Sequence, residues 1–106
     1  MFTPGQPDDP HQPRPALVLS EDVRNRMRDD LIVVPVFSAG HLGPTRVALS
    51  ASSSGLRHNS VIFCEETTTI DRDFLARGPL GMLSPKLMDG VVRSVRRAIG
   101  EVVPEP

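Results

Sequence analysis

The stretch Arg14-Pro15-Ala16-Leu17-Val18-Leu19-Ser20 decides how this chain is read, because it sets a permanently charged guanidinium at the mouth of an apolar run. A proline after Arg14 disfavours helix at the arginine and withholds one ladder donor, so the pair marks the entrance of a β-strand and fixes where the arginine points. Arg14 is thereby a candidate for meeting an anion. Beyond a charged connection, a second apolar run, Leu31-Ile32-Val33-Val34-Pro35-Val36, ends in Phe37-Ser38-Ala39-Gly40. Two β-branched runs separated in this way predict neighbouring strands, each finishing in a loop that can carry polar groups.

Working outward, further strands are predicted over Arg46 to Ser50, Ser60 to Cys64 and, briefly, Pro79 to Leu83. The connection from Glu21 to Asp30 mixes acidic and amide residues with Arg24, Arg26 and Arg28 and reads as a solvated turn. Ser52-Ser53-Ser54-Gly55 reads as a polar hairpin connection. Asp71 to Ala76 suits one helical turn with Asp71 as its cap. A long helix opens at Ser84, with Pro85 in its first position and Gly100 just past its end. Leu87, Met88, Val91, Val95, Ala98 and Ile99 share one face of that helix, and Lys86, Asp89, Arg93, Arg96 and Arg97 fall largely on the other. Strands first and one helix last predict an α+β fold, a small SH3-like barrel or curled antiparallel sheet with a C-terminal helix.

Composition sets the limits. A chain of 106 residues is one domain with one core. Its apolar fraction of 39% and its lack of Trp and Tyr suit a protein that completes its burial against a second copy. Net charge is −1, so any nucleic-acid site must come from local arrangement. The basic residues are 11 Arg and a single Lys, Lys86, a bias that a GC-rich genome explains as well as phosphate recognition does. With Cys64 as the one cysteine, no intrachain disulfide can form, and a reducing cytoplasm is expected. No apolar run approaches the roughly 20 residues that span a bilayer, and no signal-peptide pattern opens the chain. Pro4, Pro7, Pro10 and Pro13 argue against regular structure in residues 1–13, which are expected to form a flexible segment.

In their order, these pieces resemble the MazF/PemK family of toxin endoribonucleases, the ribonuclease half of bacterial toxin–antitoxin pairs. Its members carry an Arg-Pro-x-Leu-Val strand, a Val-x-Pro-Ile-Thr-Ser strand end, a Gly-Leu turn into a Ser-Val strand, a Gly-x-Leu-Ser strand end and a closing helix. The counterparts here are Arg14 to Ser20, Val34 to Ser38, Gly55-Leu56 with Ser60-Val61, Gly81 to Ser84, and Pro85 to Gly100. The resemblance implies a toxin domain over 14–100, followed by a tail over 101–106. It also makes Phe2-Thr3-Pro4 the end of the family's first strand, an edge cut short at Met1.

The resemblance further implies a homodimer, single-stranded RNA as substrate, an antitoxin whose disordered tail blocks the RNA groove, and cleavage with neither metal nor cofactor. Such cleavage needs an acceptor for the 2′-hydroxyl proton, a cation for the crowded phosphate and a proton for the leaving oxygen. Arg14 matches the family's catalytic arginine, and its fork suits two phosphate oxygens. The family's next position is a hydroxyl; here it is Phe37, with Ser38 one place on as the candidate surrogate. Strand side chains alternate, so Ser38 serves only if the strand end re-aims it. Phe37 is alternatively a base-stacking residue.

Glu65 and Glu66 stand where the family has Glu-Gln, to orient Arg14 or accept a proton, or else to form an ordinary salt bridge. Thr68 replaces a family arginine, which weakens phosphate binding. His41 lies in the loop expected to flank the RNA groove and is a candidate proton donor; Arg46, at the far end of that loop, is a candidate phosphate contact. His11, His41 and His58 form no metal-ligand pattern with Cys64. Two alternatives stay open: a toxin-fold protein that binds antitoxin without cleaving RNA, and a gyrase poison built on the same fold.

Overall fold

A computed structural model of the chain describes residues 2–4, 15–54, 56–74 and 82–103. The strands are β1 (Phe2–Pro4), β2 (Pro15–Val18), β3 (Asp30–Phe37), β4 (Arg46–Leu49), β5 (Ser60–Phe63) and β6 (Thr68–Asp71); the helices are α1 (Asp22–Met27), α2 (Ala51–Ser54) and α3 (Pro85–Ala98). All strand pairs are antiparallel, and the ladder runs β1-β2-β3-β5-β4, with β6 also on β3. Among the described residues the sheet does not close on itself, and an antiparallel sheet with a C-terminal helix is the fold expected.

β3 is central because it is apolar on both faces. Its even-numbered residues Val34 and Val36 join Leu17, Leu49, Ile62, Cys64, Leu83 and Val91 in the main core. Its odd-numbered Leu31 and Val33 join Ala16 and Ile70 in a smaller cluster. The alternation is the pleat of the strand expressed as two cores. α3 covers the main core with Leu87, Met88, Val91 and Val95. Ala98 and Ile99, assigned to that same face by periodicity, are solvent-exposed, because they lie in the last turn beyond the edge of the packed surface; Ile99 is 77% exposed.

Both ends of α3 match the sequence reading. Ser84 Oγ accepts from the Leu87 amide at 3.2 Å, and Pro85 follows in the first position. At the other end Gly100 takes φ +95°, its amide donates to the Arg97 carbonyl at 3.0 Å, and the Glu101 amide donates to the Arg96 carbonyl at 2.9 Å. These are the two bonds of a Schellman cap, and they need a residue free to adopt positive φ. On the outer face Arg93 pairs with Asp89 at 3.0 Å, and Arg96 pairs with Glu101.

Several connections are more ordered than the sequence suggested. Phe2–Pro4 forms β1 in register with Pro15–Leu17, although a run of prolines argued against regular structure there; a prolyl residue is tolerated in a strand at an edge. The remainder of the segment 1–13 lies outside the described residues, as do Pro79 to Gly81 of the expected last strand; Met82 and Leu83 are irregular, with Leu83 buried.

The expected turn 21–30 instead holds α1. The Glu21 carboxylate caps it by accepting from the Val23 and Arg24 amides, and Arg72 donates to the Asn25 and Arg28 carbonyls at the other end. Arg24 ties the helix to Asp30 at 2.7 Å, and that guanidinium holds the Asp30 carboxyl below its ordinary value. The serine-rich connection is one helical turn, whose first amide, that of Ala51, donates to Asn59 Oδ1 at 2.9 Å. The turn capped by Asp71 is present at Arg72–Phe74, with the Asp73 amide donating to Asp71 Oδ1 at 2.9 Å. β6 was not foreseen, since Thr68-Thr69-Ile70-Asp71 offers a single apolar residue, Ile70, opposite Leu31.

Ser84→Ala removes the α3 cap and is expected to lower the free energy of unfolding by about 0.5–2 kcal/mol in a denaturant titration.

Candidate functional site

One structural irregularity assembles the candidate site. β5 and β6 pair with the same edge of β3, in the registers Val36–Ile62 and Val33–Thr68. Two residues of β3 separate those pairs against five on the partner strand, so three extra residues are accommodated by the 3-10 turn Cys64–Glu66. The turn is a large bulge, and like smaller bulges it re-aims side chains. Cys64 goes inward to the main core, where burial pushes its thiol up to about 11. Glu65 goes outward.

Outside, Glu65 meets Arg46. Register places Arg46 at the start of β4 directly opposite Phe63. The guanidinium lies over the Phe63 ring, 3.8 Å from its centroid. Its Nη2 is 3.0 Å and its Nε 3.1 Å from Glu65 Oε2, and its Nη1 donates to the His41 carbonyl at 3.1 Å. Phe37, at the end of β3, packs edge-on against Phe63 with centroids 4.6 Å apart. The loop closes over the same ring. A Cβ on Gly40 would stand 2.6 Å from Phe63 Cζ and 2.8 Å from Cε1, so only glycine lets the backbone pass so close.

The cluster therefore joins four of the residues singled out from sequence, Phe37, His41, Arg46 and Glu65, from two strands, a loop and the 3-10 turn. His41 contributes through its carbonyl, and its side chain is exposed. Ser38 follows the last ladder residue of β3 and is exposed. Glu66 and Thr68 are exposed on the turn and at the start of β6, and neither pairs with Arg46. Arg14 and His11 lie outside the described residues. His58 is exposed, its carbonyl accepting from the Ser60 hydroxyl at 3.0 Å. Phe63 and Gly40 were not singled out; the signal for Phe63 was its place opposite Arg46, which appears only once β4 and β5 are set in register.

The electrostatics follow from the contacts. The Arg46 hydrogen bonds hold the Glu65 carboxyl below its ordinary value of 4.5, with a smaller contribution from Thr45. A carboxylate so engaged stays ionised at neutral pH and is a weak proton acceptor. An open concavity at the opposite end of β3 is lined by Asp29, Asp30 and Asp71 beside Arg28, and its carboxylates make it a poor seat for phosphate.

Gly40→Ala must displace a ring held on one side by Arg46 and on another by Phe37, and is expected to cost about 1–3 kcal/mol of stability in denaturant. Glu65→Gln removes a group whose folded carboxyl titrates low. The stability difference between wild type and variant should therefore be full above the ordinary carboxylate value of 4.5 and fade as pH falls through the lower folded value, in melts run across acid pH.

Comparison with known proteins agrees with this architecture. Mycobacterium tuberculosis toxin MazF-mt6 superposes with a TM-score of 0.83 at 24% identity, over 96% of this chain and 98% of that one. An endoribonuclease in complex with its cognate antitoxin, from Mycobacterial species, gives 0.81 at 24% identity, over 99% and 94%. A chain of a MazE–MazF structure from Deinococcus radiodurans gives 0.79 at 21% identity, over 95% and 92%. Identities at this level establish a common fold. No curated protein matches the chain. Among the described residues no helix is long and apolar enough to cross a membrane. A family model does match residues 1–99, nearly the whole chain, and by that match the chain belongs to the family of PemK-like, MazF-like toxins of type II toxin–antitoxin systems.

Proposed function

We propose that this protein is a metal-independent endoribonuclease that cuts single-stranded mRNA selectively by sequence, the toxin of a toxin–antitoxin pair. The observation that carries the reading is the family match over residues 1–99, which spans the Arg14-Pro15 strand entrance. Solved relatives of the same fold bear the description of an endoribonuclease with its cognate antitoxin and of a MazE–MazF complex, which supports a cognate antitoxin as partner here. The protein acts as a homodimer in the cytoplasm.

In this reading Arg14 supplies the fixed cation for the pentacoordinate phosphate, and its planar fork holds two non-bridging oxygens. The ribose 2′-hydroxyl attacks the adjacent phosphorus and the P–O5′ bond breaks. A 2′,3′-cyclic phosphate and a 5′-hydroxyl remain, with the 2′-hydroxyl proton removed and a proton delivered to the leaving oxygen. Ser38, exposed just past the end of β3, relays one of those protons. Glu65 is committed to Arg46 and serves the site by holding that arginine. Selectivity comes from unpaired bases, whose faces and edges are open to side chains.

One observation favours a second reading, a fold retained without the chemistry: Phe37 fills the place of the family hydroxyl and packs its ring on Phe63. Incubation of purified protein with single-stranded RNA in EDTA separates the two. Cleavage leaving cyclic phosphate ends, lowered by about 10²–10³ or more in Arg14→Ala, is the expected result. Intact RNA with wild-type protein that still captures its antitoxin would establish the second reading instead.

A further inference from the structure

We propose that the outward face of the Arg46 guanidinium, backed by Phe63 and Phe37, is a stacking platform for one unpaired base of the RNA, and not a phosphate contact. The inference rests on the endoribonuclease reading for its ligand, single-stranded RNA; its geometry is independent of that reading.

The donors of Arg46 are the first argument. Nε and Nη2 are directed at Glu65 and Nη1 at the His41 carbonyl, so three of the five N–H donors, the Nε–Nη2 edge among them, are already engaged. Glu65 also offsets the charge, which weakens the attraction for a phosphate. The group also presents its plane.

The plane is the second argument. The Arg46 Cζ stands over the Phe63 ring, 3.8 Å from its centroid, in a cation–π contact, and Phe37 braces that ring edge-on at 4.6 Å. Among the described residues the contacts of Arg46 lie along its edges and over Phe63, and 26% of the side chain stays exposed. Guanidinium planes and aromatic rings are the two surfaces on which proteins stack unpaired bases, and this cluster layers one on the other.

Rigidity is the third. Arg46 is fixed by an ion pair, a backbone carbonyl and a ring, and Gly40 lets the loop lie against Phe63. A platform that is already immobile loses little side-chain entropy when a base lands on it. Stacking of this kind accepts any base by its π face and adds affinity at one fixed nucleotide.

The test uses the full chain and a single-stranded RNA carrying 2′-fluoro sugars, which bind but cannot be cut. Affinity is read by fluorescence anisotropy, first with an abasic nucleotide walked along the strand. One position should cost the wild-type protein about tenfold or more in affinity. Arg46→Lys keeps the charge and loses the plane, and should weaken the unmodified strand by a similar factor. The two losses should not add: at the critical position the abasic strand should bind Arg46→Lys and wild type alike.

Equal affinity of Arg46→Lys and wild type for the unmodified strand would overturn the platform in favour of a charge contact. So would a uniform penalty along the abasic walk, which needs no variant, or additive losses, which would make Arg46 a brace for the loop only. Failure of wild type to bind RNA at all overturns it as well. Cleavage of ordinary RNA in parallel keeps the two readings apart: binding with a critical base but no cutting sinks the ribonuclease reading alone, and cutting with no critical base sinks the platform alone.

Discussion

The fold depends on β3, a strand obliged to bury both of its faces. A strand with Val34 and Val36 on one side of the pleat and Leu31 and Val33 on the other has no face to leave in water, so every other element is arranged to cover it. β2 pairs along one edge, β5 and β6 along the other, and α3 lies across the main core. The edge opposite β2 is longer than one straight strand fills, and the chain meets it with two short strands and a turn of three residues between them.

That interruption links the scaffold to the candidate site. An uninterrupted strand would carry residues 63 to 68 in strict alternation. The 3-10 turn shifts that alternation by an odd number of residues, so Ile62 and Cys64 face the main core while Ile70 faces the smaller cluster, and Glu65 on the turn reaches out to Arg46. Core and site are thus two consequences of one local geometry. The surface so produced pairs its charges, Arg46 with Glu65, beside the Phe63 ring. On the proposed ribonuclease reading, the cation at the phosphate is Arg14.

Legibility in the sequence divided along the range of the interactions involved. The central strands, the α3 caps and the Asp71-capped turn were readable because their signals are local: β-branched runs, a serine followed by proline, a glycine three residues past a charged turn. α1 was not, since what stabilises its C-terminal carbonyls is Arg72, more than forty positions away in sequence. β6 was hidden by its polarity. It is a strand because β3 offers an unpaired edge, and threonine side chains tolerate the exposed face. In the site, Phe37, His41, Arg46 and Glu65 were named as separate candidates, and their meeting depends on register and on the bulge, neither of which composition or periodicity encodes.

The position of Cys64 has a practical side. It is the chain's one sulfhydryl, sealed beneath the sheet beside Ser94 and kept protonated by burial, next in sequence to the carboxylate that steadies Arg46. Thiol-directed reagents therefore have no target while the sheet is intact and gain one when this corner opens. The molecule carries its own built-in reporter of local breathing, adjacent to the surface of interest and needing no engineered label.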